Sequence, residues 1–282
     1  MKKVTAEMVK ELRERTGVSM GKCKEALDQS DADVEKAIDF LRKAGMASAV
    51  KKEGREALEG LIGFAESDKA VAIVEVNSET DFVAQNEKFK QFLKDLCTEA
   101  CEMKHSTVEE LLSVKYAKDP SITLDQYRAL TIQSLGENIQ VKRMMIIPKS
   151  DNVSVGFYSH MGGKIVTAVV IEGSSGHESV AREIAMHIAA ESPEYLQPSD
   201  VPADIQERES DIAKAQLQGK PANMIEKIVE GKLKAFYDQV CLLCQKFVKD
   251  NALTVAAVVE AEAKRSGKAL SIQRFVRWRV GG

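Results

Sequence analysis

Aromatic side chains are scarce in this sequence: Phe, Trp and Tyr make up 5% of its 282 residues, with a single Trp. Proteins that read single-stranded nucleic acid stack bases on aromatic platforms, and this composition does not supply one. Positive charge is not in excess either. The 40 Lys and Arg residues face 43 Asp and Glu, a net charge of −3. That balance argues against a chain built to neutralise phosphates, so DNA is not an expected partner. No run approaches the roughly 18 consecutive apolar residues that span a bilayer, and no membrane partner is expected. The opening "MKKVTAEMVKELRERTG" has no apolar signal-peptide core. Five cysteines, an odd number and widely scattered, fit a reducing compartment. The expected location is cytoplasmic.

Signatures of catalysis are missing as well. There is no Walker lysine loop, no dinucleotide fingerprint after a strand, no HExxH and no GxSxG. Direct nucleotide binding, a cofactor, a metal and enzymatic activity are therefore not expected. Cys241 and Cys244 form a CxxC, but no second pair of ligands accompanies it for zinc. A redox CxxC opens a helix, whereas this one closes a helical pattern. Cys97 and Cys101 fall on or beside an apolar helical stripe and read as core. Of the histidines, His187 lies on a stripe with Val180, Ile184 and Ile188 and reads as packed. His105 carries no motif, and His160 sits in a hairpin turn, "YSHMGGK". Lys51, Lys52 and Arg55 are interleaved with Glu53, Glu56 and Glu59, the pattern of a solvated face.

What remains is a chain of ordinary globular composition, 44% hydrophobic and 29% charged, long enough for one large or two modest domains. Its fold class reads as α+β. Residues 1–45 predict three short helices. Thr5 caps the first and Gly17 ends it; Ser19 opens the second; Asp31 or Asp33 opens the third and Gly45 stops it. Residues 46–57 predict a linker, helical or flexible. Two strands follow, Leu58–Ala65 and Ala70–Val76, then a helix whose apolar residues Phe89, Phe92, Leu93, Leu96, Cys97 and Ala100 fall on one face. A helix from Leu124 to Leu135, closed by Gly136, leads into the strand "NIQVKRMMIIP".

Compared with itself, the chain repeats. "GFAESDKAVAIVEVN" from Gly63 and "GFYSHMGGKIVTAVVIEG" from Gly156 each begin Gly-Phe, turn, enter a β-branched run and lead to a helix, 87–103 or about 178–191. Two similar hairpin-plus-helix halves with antiparallel strands are the expectation. Between Ala203 and Cys244 lie two helical patterns around Gly219-Lys220-Pro221, an antiparallel helical hairpin expected to project from the core. A helix from Val255 to Lys264 and a half-buried strand, "LSIQRFVRWRV", close the sequence.

One junction admits both a structural and a functional reading. "NSETDFVAQNEKF" (77–89) joins a buried strand to an amphipathic helix. Asn77, Thr80, Asp81 and Asn86 are capping types, and Phe82 folded back as a hydrophobic staple would complete a helix start. An aromatic beside a carboxylate on a short loop is also the composition of a binding wedge.

Six stretches in order resemble the elongation factor Ts family, the guanine nucleotide exchange factors of bacterial translation. They are "LRERTGVSMGKCKEAL" (12–27), "EVNSETDFVAQNEKF" (75–89), "LGENIQVKR" (135–143), "YSHMGGKIVTAVV" (158–170), "IAMHIAAESPEYL" (184–196) and "GKPANMIEKIVEGKLKAF" (219–236). The resemblance implies a UBA-like three-helix module with linker over 1–54, a first core half over 55–148 and a second over 149–200. It implies a projecting helical hairpin over 201–243 and a helix and strand completing the second half over 244–282. The implied partner is elongation factor Tu, GDP-bound and nucleotide-free, from which Thr80, Asp81, Phe82 and Val83 would dislodge Mg²⁺. Met20, Lys24, Leu135, Gly136 and His160 match further partner contacts. Many members carry a second Met after Met20; here Gly21 stands, and no contact carries over. Some members add a helix after the last strand, a contact not expected from a chain ending "RWRVGG".

Overall fold

A computed structural model describes residues 3–102, 107–215 and 222–282. His105, the end of the expected helix at 103 and the Gly219-Lys220-Pro221 turn lie outside the described residues. The chain forms two compact units. The first comprises Met1–Pro148, Met161–Lys164 and Arg279–Gly282, and the second Lys149–His160 and Ile165–Trp278.

The first unit opens with three helices, α1 (Ala6–Thr16), α2 (Met20–Gln29) and α3 (Val34–Lys52). Thr5 accepts from the Met8 amide, and Gly17 ends α1 in the left-handed region at φ 66°. Asp33, not Asp31, caps α3 through the Lys36 amide. Ser19 holds the N-cap position of α2 without a side-chain bond. Val9, Leu12, Val18, Cys23, Ala26, Leu27, Ala37, Ile38 and Leu41 form the core of this module.

One expectation is corrected here. Gly45 does not stop the third helix, which runs 19 residues to Lys52 and makes the first part of the expected linker helical. A β-carbon on Gly45 would stand 3.4 Å from the Ala129 carbonyl oxygen. That is ordinary contact distance, so the glycine sits within a continuous helix and marks no chain reversal.

Next come β1 (Glu59–Glu66), β2 (Ala70–Ser78), α4 (Asp81–Ala84), α5 (Glu87–Cys101), α6 (Val108–Ser113), β3 (Lys115–Tyr116), β4 (Asp119–Thr123), α7 (Leu124–Leu135) and β5 (Ile139–Pro148). The sheet order is β1-β2-β5, with β2 antiparallel to both neighbours. Every residue of β2 is buried. One face of the sheet meets α5, whose expected stripe is buried along its whole length. Fully burying side chains such as Phe89, Phe92 and Leu96 stabilises by about 1.5–3 kcal/mol each. Asp95, on the same helix, is buried but well supplied. It accepts from the hydroxyls of Tyr116 (2.6 Å) and Tyr127 (3.3 Å), from Lys118 Nζ (2.7 Å) and from Gln91 Nε2 (2.8 Å). Such a carboxylate satisfies the rule that buried charge must be paired and hydrogen-bonded.

The second unit repeats this order. It contains β6 (Val153–His160), β7 (Ile165–Glu172), α8 (Glu178–Glu191), α9 (Ala203–Ala215), α10 (Ala222–Val240), β8 (Lys246–Phe247), β9 (Asp250–Thr254), α11 (Val255–Ser266) and β10 (Ser271–Arg279). Its sheet order is β10-β7-β6, so the second hairpin strand is again central. The small hairpins β3/β4 and β8/β9 were not expected from the sequence. Both lead into a helix capped by threonine, Thr123 on the Gln126 amide and Thr254 on the Ala257 amide. The α9/α10 pair is inserted between α8 and β8 and buries Ala213 and Val229 with Ile225, Ile228 and Leu233.

The repeated Gly-Phe has a physical cause. A β-carbon on Gly63 would lie 2.8 Å from Leu93 Cγ of α5, and one on Gly156 would lie 2.1 Å from the Arg182 amide nitrogen of α8. Each glycine lets a helix lie close on its strand. At Gly63 the obstruction is flexible side chain; at Gly156 it is backbone. Gly156→Ala should therefore cost about 1–3 kcal/mol or more, and Gly63→Ala clearly less, in urea unfolding of the two variants.

Glu262 of α11 is buried. Its Oε1 lies 2.7 Å from His177 Nδ1, and Arg265 donates to it at 2.6 Å. Hydrogen bonds from Arg265, then His177, hold its carboxyl at about 2. Stability from this group is present above the ordinary glutamate range and lost as pH falls toward 2. Urea midpoints measured between pH 5 and 2 should fall more steeply for the wild-type chain than for Glu262→Gln.

Candidate functional site

The chain must pass from the buried strand β2 to the buried stripe of α5 over Glu79–Asn86. It does so with two caps. Thr80 is extended and its Oγ1 accepts from the Val83 amide, opening the one-turn helix α4. Asn86 Oδ1 then accepts from the Lys88 amide at 2.9 Å and opens α5. The last two residues of α4 face inward: Ala84 is fully buried, and Val83 packs against the core. Asp81 and Phe82, which precede them, are exposed. Phe82 is 85% exposed. Of the four capping types, Thr80 and Asn86 cap a helix, whereas Asn77 lies within β2 and Asp81 is the first residue of α4; the hydrophobic staple is absent, since Phe82 does not fold back.

The loop is held from the α7–β5 connection. The Glu137 carboxylate accepts twice from Thr80, from its amide at 2.9 Å and from its hydroxyl at 2.6 Å. Glu79 returns the arrangement by accepting from the Asn138 amide at 2.6 Å. Asn138 Nδ2 donates to the Arg55 carbonyl at 2.8 Å, which ties the segment after α3 to the same point. Glu79 is also 3.4 Å from Arg55 Nη1. Lys52 lies close by, its pKa lowered first by burial and then by the charges of Arg55 and Lys22, with Glu79 and Glu137 opposing.

These bonds bring several of the sequence-derived residues together. Leu135 packs on the core, and Gly136 ends α7 in the left-handed region at φ 85°. They directly precede the Glu137 that grips Thr80. Met20 and Lys24 stand one turn apart on the exposed face of α2, and Met20 is 52% exposed. The three-helix module carrying them is fastened to α7: Lys22 Nζ donates to the Gln133 carbonyl at 3.3 Å, and Ser134 Oγ donates to the Gly17 carbonyl at 2.9 Å. A β-carbon on Gly21 would meet nothing within 4 Å, so no packing demand explains the glycine there. His160 ends β6 in the second unit, where it is exposed and 6.1 Å from the Tyr158 ring.

The family model described as "Elongation factor TS" matches residues 79–282, starting at the glutamate that precedes Thr80. The whole chain is similar to elongation factor Ts of Protochlamydia amoebophila, 56% identical over 281 residues with 100% of both chains covered. It is similar over the same full length to the elongation factor Ts proteins of Chlamydia muridarum, at 44%, and Chlamydia trachomatis serovar L2, at 43%. The chain belongs to the elongation factor Ts family. Its roles in elongation and protein biosynthesis follow from that membership.

Within the family frame, the cysteines and core histidines are structural. Cys23, Cys97 and Cys241 are buried, and burial raises the pKa of each thiol, Cys241 to about 11. Such thiols stay protonated and make poor nucleophiles. The packed reading of His187 holds. Its Nδ1 accepts from the Val248 amide at 3.2 Å, Nε2 lies 2.9 Å from Gln245 Oε1, and burial lowers its pKa. Among the described residues no group of His, Cys, Asp and Glu could hold a metal ion, and no helix is long and apolar enough to cross a membrane.

Sequence reasoning missed Glu79, Glu137 and Asn138. The signal was present, because all three lie inside the two motifs "NSETDFV" and "LGENIQ". Phe82, by contrast, was found by its position yet contributes little to the fold. Phe82→Ala should leave folding stability within about 0.5 kcal/mol of the wild-type chain in urea unfolding, because the ring buries almost no surface.

Proposed function

We propose that this protein is the guanine nucleotide exchange factor for elongation factor Tu. It binds the GDP-bound GTPase, dislodges Mg²⁺ and promotes GDP release so that GTP can bind. The observation that carries this reading is Phe82, an aromatic ring 85% exposed on a loop tied down at both ends, within the family's Thr-Asp-Phe-Val motif. Exposed apolar side chains on rigid supports are the kind that dominate interface energies.

The physical logic runs through the metal. Mg²⁺ is the largest local charge in a GTPase site and bridges phosphate oxygens to the protein. It demands near-octahedral geometry, so a small displacement of its surroundings weakens it. Phe82 supplies the apolar wedge, and Asp81 bonds the displaced elements and adds unfavourable negative charge. Thr80 and Val83 hold the turn. Once the metal leaves, the GDP phosphates lose their compensating charge. Met20, Lys24, Leu135 and Gly136 extend the contact from the first unit, and His160 adds one from the second.

Linkage completes the cycle. If this protein weakens GDP binding, GDP weakens this protein's binding by the same factor, and incoming GTP with Mg²⁺ displaces it. The factor speeds equilibration and does not choose the nucleotide. On this reading it is not an enzyme, binds no nucleotide itself, carries no cofactor and works in the cytoplasm. Residues 1–54 then form the UBA-like module, 55–148 and 149–200 the core halves, 201–243 a projecting hairpin, and 244–282 the completion of the second half.

Stopped-flow release of a fluorescent GDP analogue from elongation factor Tu tests this reading. The wild-type chain should accelerate release, and Phe82→Ala should remove about 30-fold of that acceleration, the size expected for losing a side chain worth about 2 kcal/mol at an interface. An unchanged release rate with the wild-type chain would sink the assignment.

A further inference from the structure

A four-residue helix is far below the length that is stable alone. α4 makes almost none of its own stability, yet it carries the most exposed of the large apolar side chains among the described residues. Something outside α4 must fix the direction of Phe82. Ala84 anchors its far end by burial. The near end is Thr80, and its amide and hydroxyl both donate to one side chain, the carboxylate of Glu137. The Thr80 hydroxyl is also the acceptor for the Val83 amide, so the bond to Glu137 orients the cap itself.

We infer that Glu137 is a positioning residue for nucleotide exchange, fixing Thr80 so that Phe82 is presented in its working direction before the partner arrives. The inference rests on the exchange reading above and deepens it. Both bonds end on a carboxylate, which makes them charge-assisted and stronger than neutral ones. Two bonds to two oxygens of one planar group also fix orientation, which a single bond does not. The reciprocal bond from the Asn138 amide to Glu79 prevents the two segments from sliding past each other. A wedge held this way loses less conformational freedom on binding, which is how preorganisation raises affinity and rate. Glu137 itself need not touch the partner.

The test is a double-mutant cycle read by stopped-flow GDP release, with amide hydrogen exchange on the free chain as a second readout. Glu137→Gln keeps the size of the side chain but leaves one acceptor oxygen for two donors. It should lower the second-order rate constant for stimulated release about tenfold and speed exchange of the Thr80 amide. In the Phe82→Ala background the same change should alter the rate less than about twofold, because there is no wedge left to position. An equal tenfold loss with and without Phe82 would overturn the inference, since Glu137 would then act on the partner directly. Unchanged Thr80 exchange and unchanged release in Glu137→Gln would overturn it as well. Failure of the exchange reading looks different: the wild-type chain then leaves release unaltered while Glu137→Gln still loosens the Thr80 amide.

Discussion

A short exposed turn cannot hold an aromatic ring in a fixed direction by itself, and this constraint organises the first unit. Thr80 is held by Glu137, Asn138 by Glu79, and the segment after α3 by Asn138. The three-helix module is fastened to the end of the same helix, α7, through Lys22 and Ser134. Every group that presents Phe82, Met20 or Leu135 is therefore referred to one place, the exit of α7. The fully buried strand β2 and helix α5 supply the rigid base from which that place is measured.

Repetition accounts for much of the remaining architecture. Each unit has a hairpin whose second strand is central, a helix lying across it, a small hairpin, a threonine-capped helix and a last strand. The glycine near the start of each copy leaves no room for a side chain beneath the helix that lies on the sheet. The exposed aromatic is not repeated with the fold. The loop after β2 carries an exposed phenylalanine, whereas the one after β7 reads "GSSGHES" and buries His177 against Glu262.

Most of this was legible in the residues. The stripe of α5, the Gly136 cap and the two main hairpins follow from periodicity and turn chemistry, because those signals are local. The small hairpins were not legible at the offset that revealed the repeat. Gly63 and Gly156 lie 93 residues apart, but "KYAKD" at Lys115 and "KFVKD" at Lys246 lie 131 apart, because α9 and α10 intervene. Gly45 was misread because a glycine inside a helix looks the same in sequence as one that ends it. Glu137 lies inside a motif, but its role was not legible for another reason. Its meaning depends on Thr80, 57 residues away, and no local pattern encodes that pairing.

The way α9 and α10 join the second unit has a consequence of its own. Where the chain leaves and returns, Leu242 donates to the Tyr195 carbonyl at 2.8 Å, Leu243 to the Leu196 carbonyl at 3.0 Å, and Tyr195 to the Val240 carbonyl at 3.0 Å. Entry and exit are neighbouring, hydrogen-bonded strands of chain. The entropy of closing a loop grows only slowly with its length once its ends are pinned together. The intervening segment can accordingly lengthen, shorten or be exchanged at little thermodynamic cost to the sheet and helices beneath it. The graft point at Tyr195 and Cys241 makes this part of the chain an appendage open to change, while the unit below it is not.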